Sequence, residues 1–142
     1  MTIPRLALAA MVAAFAAGCG ASPITSARIE SAIAPTFANL VQLQVSSMGL
    51  PPMQANDFAA TATCRRPGAL STPGSGEWMC TLIWEGPERQ MLRDTFDLFV
   101  TTDGCYTATA AAETLGGPTL KAADGRAVRN LLYTFEGCFD TT

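Results

Sequence analysis

Residues 78–112 read WMCTLIWEGPERQMLRDTFDLFVTTDGCYTATAAA, and the period of this stretch decides the fold. Trp78, Cys80, Leu82 and Trp84 recur at every second position, which places them on one face of a strand. Leu92, Phe96, Leu98 and Val100 repeat the pattern, with Arg93, Thr95 and Asp97 on the opposite parity. Phe99 breaks that polar side. Thr102-Asp103-Gly104 then supplies a hairpin turn, because Asp-Gly suits turns that need positive φ. After it, Tyr106, Ala108 and Ala110 alternate with Cys105, Thr107 and Thr109. The stretch therefore predicts three antiparallel strands, Trp78–Glu85, Met91–Thr101 and Cys105–Ala112.

The same reading extends outward. Phe58, Ala60, Ala62 and Cys64 give a preceding strand, Phe58–Cys64, separated from the next by the Pro-, Gly- and Ser-rich loop 65–77. Residues 114–127 read as an irregular crossover, and Val128–Phe139 as a last strand with Leu131, Tyr133, Phe135 and Phe139 on one face and Thr134, Glu136 and Cys138 on the other. Upstream the period changes. Ile29, Ile33, Phe37, Leu40, Val41, Val45 and Met48 form one stripe along a helix over 28–48. Thr25 or Ser26 is its N-cap, and Gly49 with Pro51-Pro52 ends it. Pro35 predicts either one kinked helix or two abutting ones. The fold class is α+β: an N-terminal helix packed on a four- to five-stranded antiparallel sheet.

The first 27 residues carry a different signal. Arg5 is their only charge, and Leu6 to Ala17 is an apolar run of twelve residues. That run is too short to span a membrane, which takes roughly 20 residues, and suits a secretory signal. It closes on Ala16-Ala17-Gly18-Cys19. This segment resembles the bacterial lipoprotein signal, or lipobox. The resemblance implies cleavage before Cys19, attachment of diacylglycerol to its thiol, fatty acyl chains such as palmitate, and a place on the outer face of the cell membrane. It divides the chain into a signal peptide (1–18), a tether (19–27) and a single domain (28–142). Removing residues 1–18 takes away Arg5 alone and leaves 124 residues with 8 basic and 12 acidic side chains, a net charge of −4.

Of the five cysteines, Cys19 is then set aside for lipid, leaving Cys64, Cys80, Cys105 and Cys138. In an oxidising compartment an even four reads as two disulfides. Three pairings are possible. Cys64 ends one strand and Cys80 begins the next, both on the apolar face; Cys105 begins a strand and Cys138 ends the last, both on the polar face. Matched face and position favour Cys64–Cys80 and Cys105–Cys138. The spacings lack the C-x₂₋₄-C pair of a thiolate metal site. With its helix, its C…G-x-W-x-C and its D-G-C-Y, the chain also resembles small disulfide-containing actinobacterial lipoproteins of unknown function.

No motif specifies a reaction. The absence of histidine removes Ser-His-Asp and Cys-His nucleophile pairs and imidazole metal sites. The formal charge of −3 argues against a nucleic-acid partner, which takes a basic face. Asp94, Asp97 and Asp103 read as solvated surface rather than a cation site, since Asp94 and Asp97 face opposite ways on a strand. Arg65-Arg66 reads as plain surface, and Gly116-Gly117-Pro118 lacks the lysine of a phosphate loop. Trp78 and Trp84 share a face: they either line a ligand groove or form core beneath the helix. No cofactor is implied. The expectation is a non-enzymatic binding or interaction module, held to the membrane by lipid, with an envelope protein as partner. An envelope enzyme or enzyme-associated subunit using carboxylates, and a scaffold that stabilises a membrane complex, are the alternatives.

Overall fold

The computed structural model describes residues 22–68 and 72–142. Cys19 and the segment 1–18 lie outside the described residues. A 22-residue helix, α1 (Ser26–Ser47), is followed by a short 3₁₀ turn (Ala55–Phe58) and the strands β1 (Thr61–Arg65), β2 (Gly76–Glu85), β3 (Met91–Val100) and β4 (Cys105–Ala110). A four-residue helix α2 (Ala112–Leu115) and a small hairpin, β5 (Thr119–Lys121) and β6 (Ala127–Arg129), precede the last strand, β7 (Thr134–Cys138). β1, β2, β3, β4 and β7 form one antiparallel sheet in that order. The expected architecture, one helix against an antiparallel sheet of four to five strands with two disulfides, is what the structure shows, with five strands in the main sheet.

The helix begins where the chain offers a cap: the Thr25 hydroxyl accepts from the Arg28 backbone N–H at 3.4 Å. It runs uninterrupted through Pro35, which is exposed on the side away from the sheet. Its buried stripe is Ile29, Ile33, Phe37, Ala38, Val41, Gln44 and Val45. Against it the sheet presents Trp78, Cys80, Leu82, Trp84, Phe96, Leu98, Val100, Tyr106, Ala108, Ala110 and Phe135, the parity read from the sequence. At the centre, the Phe37 ring meets Trp84 at 4.8 Å, Phe96 at 5.5 Å and Phe135 at 6.0 Å, the first two edge-on. Edge-to-face pairs of this kind contribute about 0.5–1.5 kcal/mol each beyond area burial.

Two elements differ from expectation. Phe58 does not start a strand. It ends the 3₁₀ turn, fully buried, and Ala59 at φ 45° turns the chain before β1 begins. The crossover and last strand are also reorganised. Residues 119–129 pair with themselves, and Asn130 to Tyr133 make a turn that separates β6 from β7. The cause is Asn130, which is 2% exposed. Its amide donates to the carbonyls of Leu115 (2.8 Å) and Gly117 (2.9 Å), and its oxygen accepts from Leu132 N–H at 3.1 Å. A side chain that satisfies three backbone groups outcompetes continued alternation. Gln44 plays the matching part from the helix: its oxygen accepts from Leu131 N–H at 2.6 Å.

Both disulfides sit where they were expected. Cys64–Cys80 and Cys105–Cys138 join residues directly opposite one another on neighbouring strands. In the chain-entropy account, closures of 16 and 33 residues contribute about 3 and about 4 kcal/mol. The hairpin before Cys105 depends on Gly104, at φ 83°, where a Cβ would lie 2.5 Å from the Phe139 carbonyl oxygen. Gly104→Ala is therefore expected to destabilise the domain by about 1–3 kcal/mol in urea unfolding, whereas a loss within 0.5 kcal/mol would show that the turn tolerates a side chain.

Candidate functional site

The helix covers one face of the sheet, and the other stays open. Cross-strand register arranges that open face in rows. One row runs Glu77, Phe99, Thr107, Glu136; the next runs Arg65, Met79, Asp97, Thr109, Thr134. Beyond the first row lies the Cys105–Cys138 bridge. β-Branched threonines keep such a face extended and polar. Phe99 departs from that pattern: it is 58% exposed.

Phe99 stands between two depressions. On one side, Pro67, Glu77, Met79, Asp97 and Thr109 surround a hollow of about 450 Å³. On the other, Thr101, Glu136 and the second disulfide bound one of about 300 Å³. Register makes Glu77 the direct neighbour of Phe99, and sets Asp97 diagonally across from Glu77. Such diagonal positions are roughly 7–8 Å apart, within reach of side chains of this length. Glu77, Asp97 and Glu136 are all exposed, so this part of the face presents carboxylates around an aromatic ring. Arg65, whose guanidinium lies 3.4 Å from the Met79 sulfur, stands at the rim.

Trp78 and Trp84 lie on the covered face, at 4% and 2% exposure, beneath α1. The Trp78 indole N–H donates to the Gly74 carbonyl at 3.0 Å, and the Arg66 guanidinium lies over its ring at 5.3 Å. Arg66 also donates to the Ser75 carbonyl. The three aspartates do not converge. Asp94 is buried on the covered face, where one oxygen accepts from Thr95 N–H at 2.7 Å; Asp97 is on the open face; Asp103 is in the hairpin turn. The Thr101 hydroxyl donates to Asp103 and holds its carboxyl below the usual range. Among the described residues, no group of three Cys, Asp or Glu side chains could hold a metal ion. Gly117 and Pro118 lend their carbonyls to Asn130. Tyr106, on the covered face, has its hydroxyl pushed up in pKa by burial.

What the sequence signalled only faintly is Phe99 and its acidic surround. The signal was parity: an aromatic residue where β3 places its polar side. Met79 and Met91 share that outward parity, and Met91 is 65% exposed. Comparison with protein-family models, with curated proteins and with solved structures finds no match.

Proposed function

We propose that this chain is an extracytoplasmic lipoprotein, held to the outer face of the cell membrane through Cys19, whose domain is a non-enzymatic binding module for an envelope protein. The lipobox-like segment supports the anchor, and two disulfides support an oxidising compartment. The observation that carries the binding reading is the 58% exposure of Phe99 amid Glu77, Asp97 and Glu136 on an uncovered sheet face. An aromatic anchor ringed by carboxylates fits a segment that is apolar at its centre and basic at its flanks.

A photo-crosslinking residue in place of Phe99 tests this in intact cells. A discrete adduct is expected at position 99 and not at Thr61, which is exposed at the edge of the sheet. With the captured partner purified, Phe99→Asp is expected to weaken binding by roughly thirtyfold, about 2 kcal/mol. Equal adducts at both positions, or unchanged affinity, would refute the binding face.

A second reading rests on one observation: Glu77 and Asp97 line the same hollow. Two carboxylates in a cavity can serve hydrolysis. Both are open to water, however, and a general acid is ordinarily kept protonated by apolar enclosure. Turnover of an envelope glycan that is abolished in Glu77→Gln and in Asp97→Asn would establish this reading over the first.

A further inference from the structure

The two disulfides share a topology and differ in access. Each joins residues directly opposite one another in antiparallel strands, with Cα atoms 4.1 Å and 3.9 Å apart. That is the close spacing of the narrow pairs in such a ladder. The hydrogen bond from Phe139 N–H to the Gly104 carbonyl, at 3.0 Å, places the wide pair one residue along from Cys105 and Cys138. The first bridge is in the core: Cys64 is 6% exposed and Cys80 0%. The second is on the open face, with Cys138 exposed and Cys105 half-buried, beside the hollow bounded by Phe99, Thr101 and Glu136.

Thiol–disulfide exchange needs an attacking thiolate to reach a sulfur, so access sets which bridge reacts. A core bridge reacts only after local opening of the layer above it, whereas a surface bridge needs no such opening. We infer that Cys105–Cys138 is a thiol-exchange site for an extracytoplasmic dithiol reductant, and that Cys64–Cys80 is the inert structural bridge. One thiolate of the dithiol attacks Sγ of Cys138, the more exposed of the two residues. The Cys138–Cys105 bond breaks, and its electron pair leaves on Cys105 Sγ, which takes a proton from water. The second thiol of the reductant, deprotonated, attacks the mixed disulfide and releases the Cys138 thiolate. Two electrons pass from the dithiol to the bridge, and the reductant leaves as a disulfide.

The position of the bridge gives the exchange a consequence. Immediately after Cys138, the Asp140 carbonyl accepts from the Arg28 side chain, and the Thr141 carbonyl accepts from Ser22 N–H at 2.6 Å. The bridge therefore fixes the edge strand whose continuation holds the entry to α1. Reduction loosens that clasp while leaving the aromatic core closed.

The test uses the mature, oxidised chain under native conditions, with dithiothreitol as the dithiol, timed alkylation, and peptide mass mapping of the four cysteines. Cys105 and Cys138 are expected to become alkylated at least about tenfold faster than Cys64 and Cys80, with the near-ultraviolet tryptophan signal still native. In a second arm the cationic monothiol cysteamine, suited to the Glu136 side of the site, is expected to form its adduct on Cys138. All four thiols appearing together, Cys64 and Cys80 appearing first, or alkylation only as the tryptophan signal is lost would overturn the inference. An adduct mainly on Cys105 would overturn the proposed direction of attack.

Discussion

Phe37→Ala is expected to lower the free energy of unfolding by about 3–5 kcal/mol. Phe37 is fully buried and is the point where the helix meets the sheet, since its ring contacts those of Trp84, Phe96 and Phe135. Truncation removes the transfer free energy of the ring and leaves a void between two layers that are each tied elsewhere. The helix is pinned by Gln44 to Leu131 and by Glu30, whose carboxylate accepts from Cys64 N–H at 2.7 Å. These ties limit how far α1 can settle into the space, which places the cost toward the upper end of the range. Domains of this size have about 5–15 kcal/mol in total, so the variant would keep a folded population but melt roughly 10–20 °C lower. Urea or thermal unfolding followed through the tryptophans measures it. Phe99→Ala is the control, with a change within about 0.5 kcal/mol, because that residue is already 58% exposed. Similar losses at the two positions would mean that the assignment of covered and open faces is wrong.

The second large effect concerns attachment. Cys19→Ala is expected to abolish incorporation of labelled fatty acid and to move the chain from the alkali-resistant membrane fraction to the soluble one. Each buried CH₂ contributes about 0.8 kcal/mol, so the diacylglycerol proposed at Cys19 anchors the chain stably where one acyl chain gives only marginal binding. Among the described residues no helix is long and apolar enough to cross a membrane. The apolar run at Leu6 to Ala17 is itself short of a span. If the alanine variant remained membrane-bound through alkaline washing, attachment through Cys19 would be refuted.

The parts of the fold that were legible in the sequence are those set by burial parity. Trp78, Cys80, Leu82 and Trp84 can share a face only if the segment is extended, and the register of β2 with β3 follows from matching such faces. The disulfide pairing was legible for the same reason, since each bridge requires two cysteines of one parity at adjoining strand ends. What was not legible depends on polar groups finding distant backbone. Asn130 ends β6 because it reaches the carbonyls of Leu115 and Gly117, 15 and 13 residues away, and no local pattern announces that. Gln44 sits in the buried stripe of α1 as a polar residue, which an apolar count passes over, because Leu131 N–H waits for it. Phe58 misled in the opposite way. Its apolar alternation with Ala60 and Ala62 continues into β1, but a left-handed Ala59 intervenes. The β5–β6 hairpin did carry a signal, Asp124-Gly125, the same dipeptide that marks the turn at Gly104.

The candidate site was legible only as an exception. Phe99 stands out as an aromatic at a polar position of β3, but its neighbours Glu77 and Glu136 come from β2 and β7 and are assembled by register alone. The two tryptophans, conspicuous in the sequence, are core. Rare large residues draw attention, whereas exposure is decided by which face the helix covers.

The intact mass of the protein extracted from its own membranes tests at once whether the domain is stapled by two disulfides and anchored by lipid at Cys19. The expected species is a chain of 124 residues beginning at Cys19, lighter by the four hydrogens lost in two disulfides and heavier by a diacylglyceryl group on the Cys19 thiol. An unmodified chain that still carries residues 1–18, or one cleaved elsewhere with a free Cys19 thiol, would contradict it.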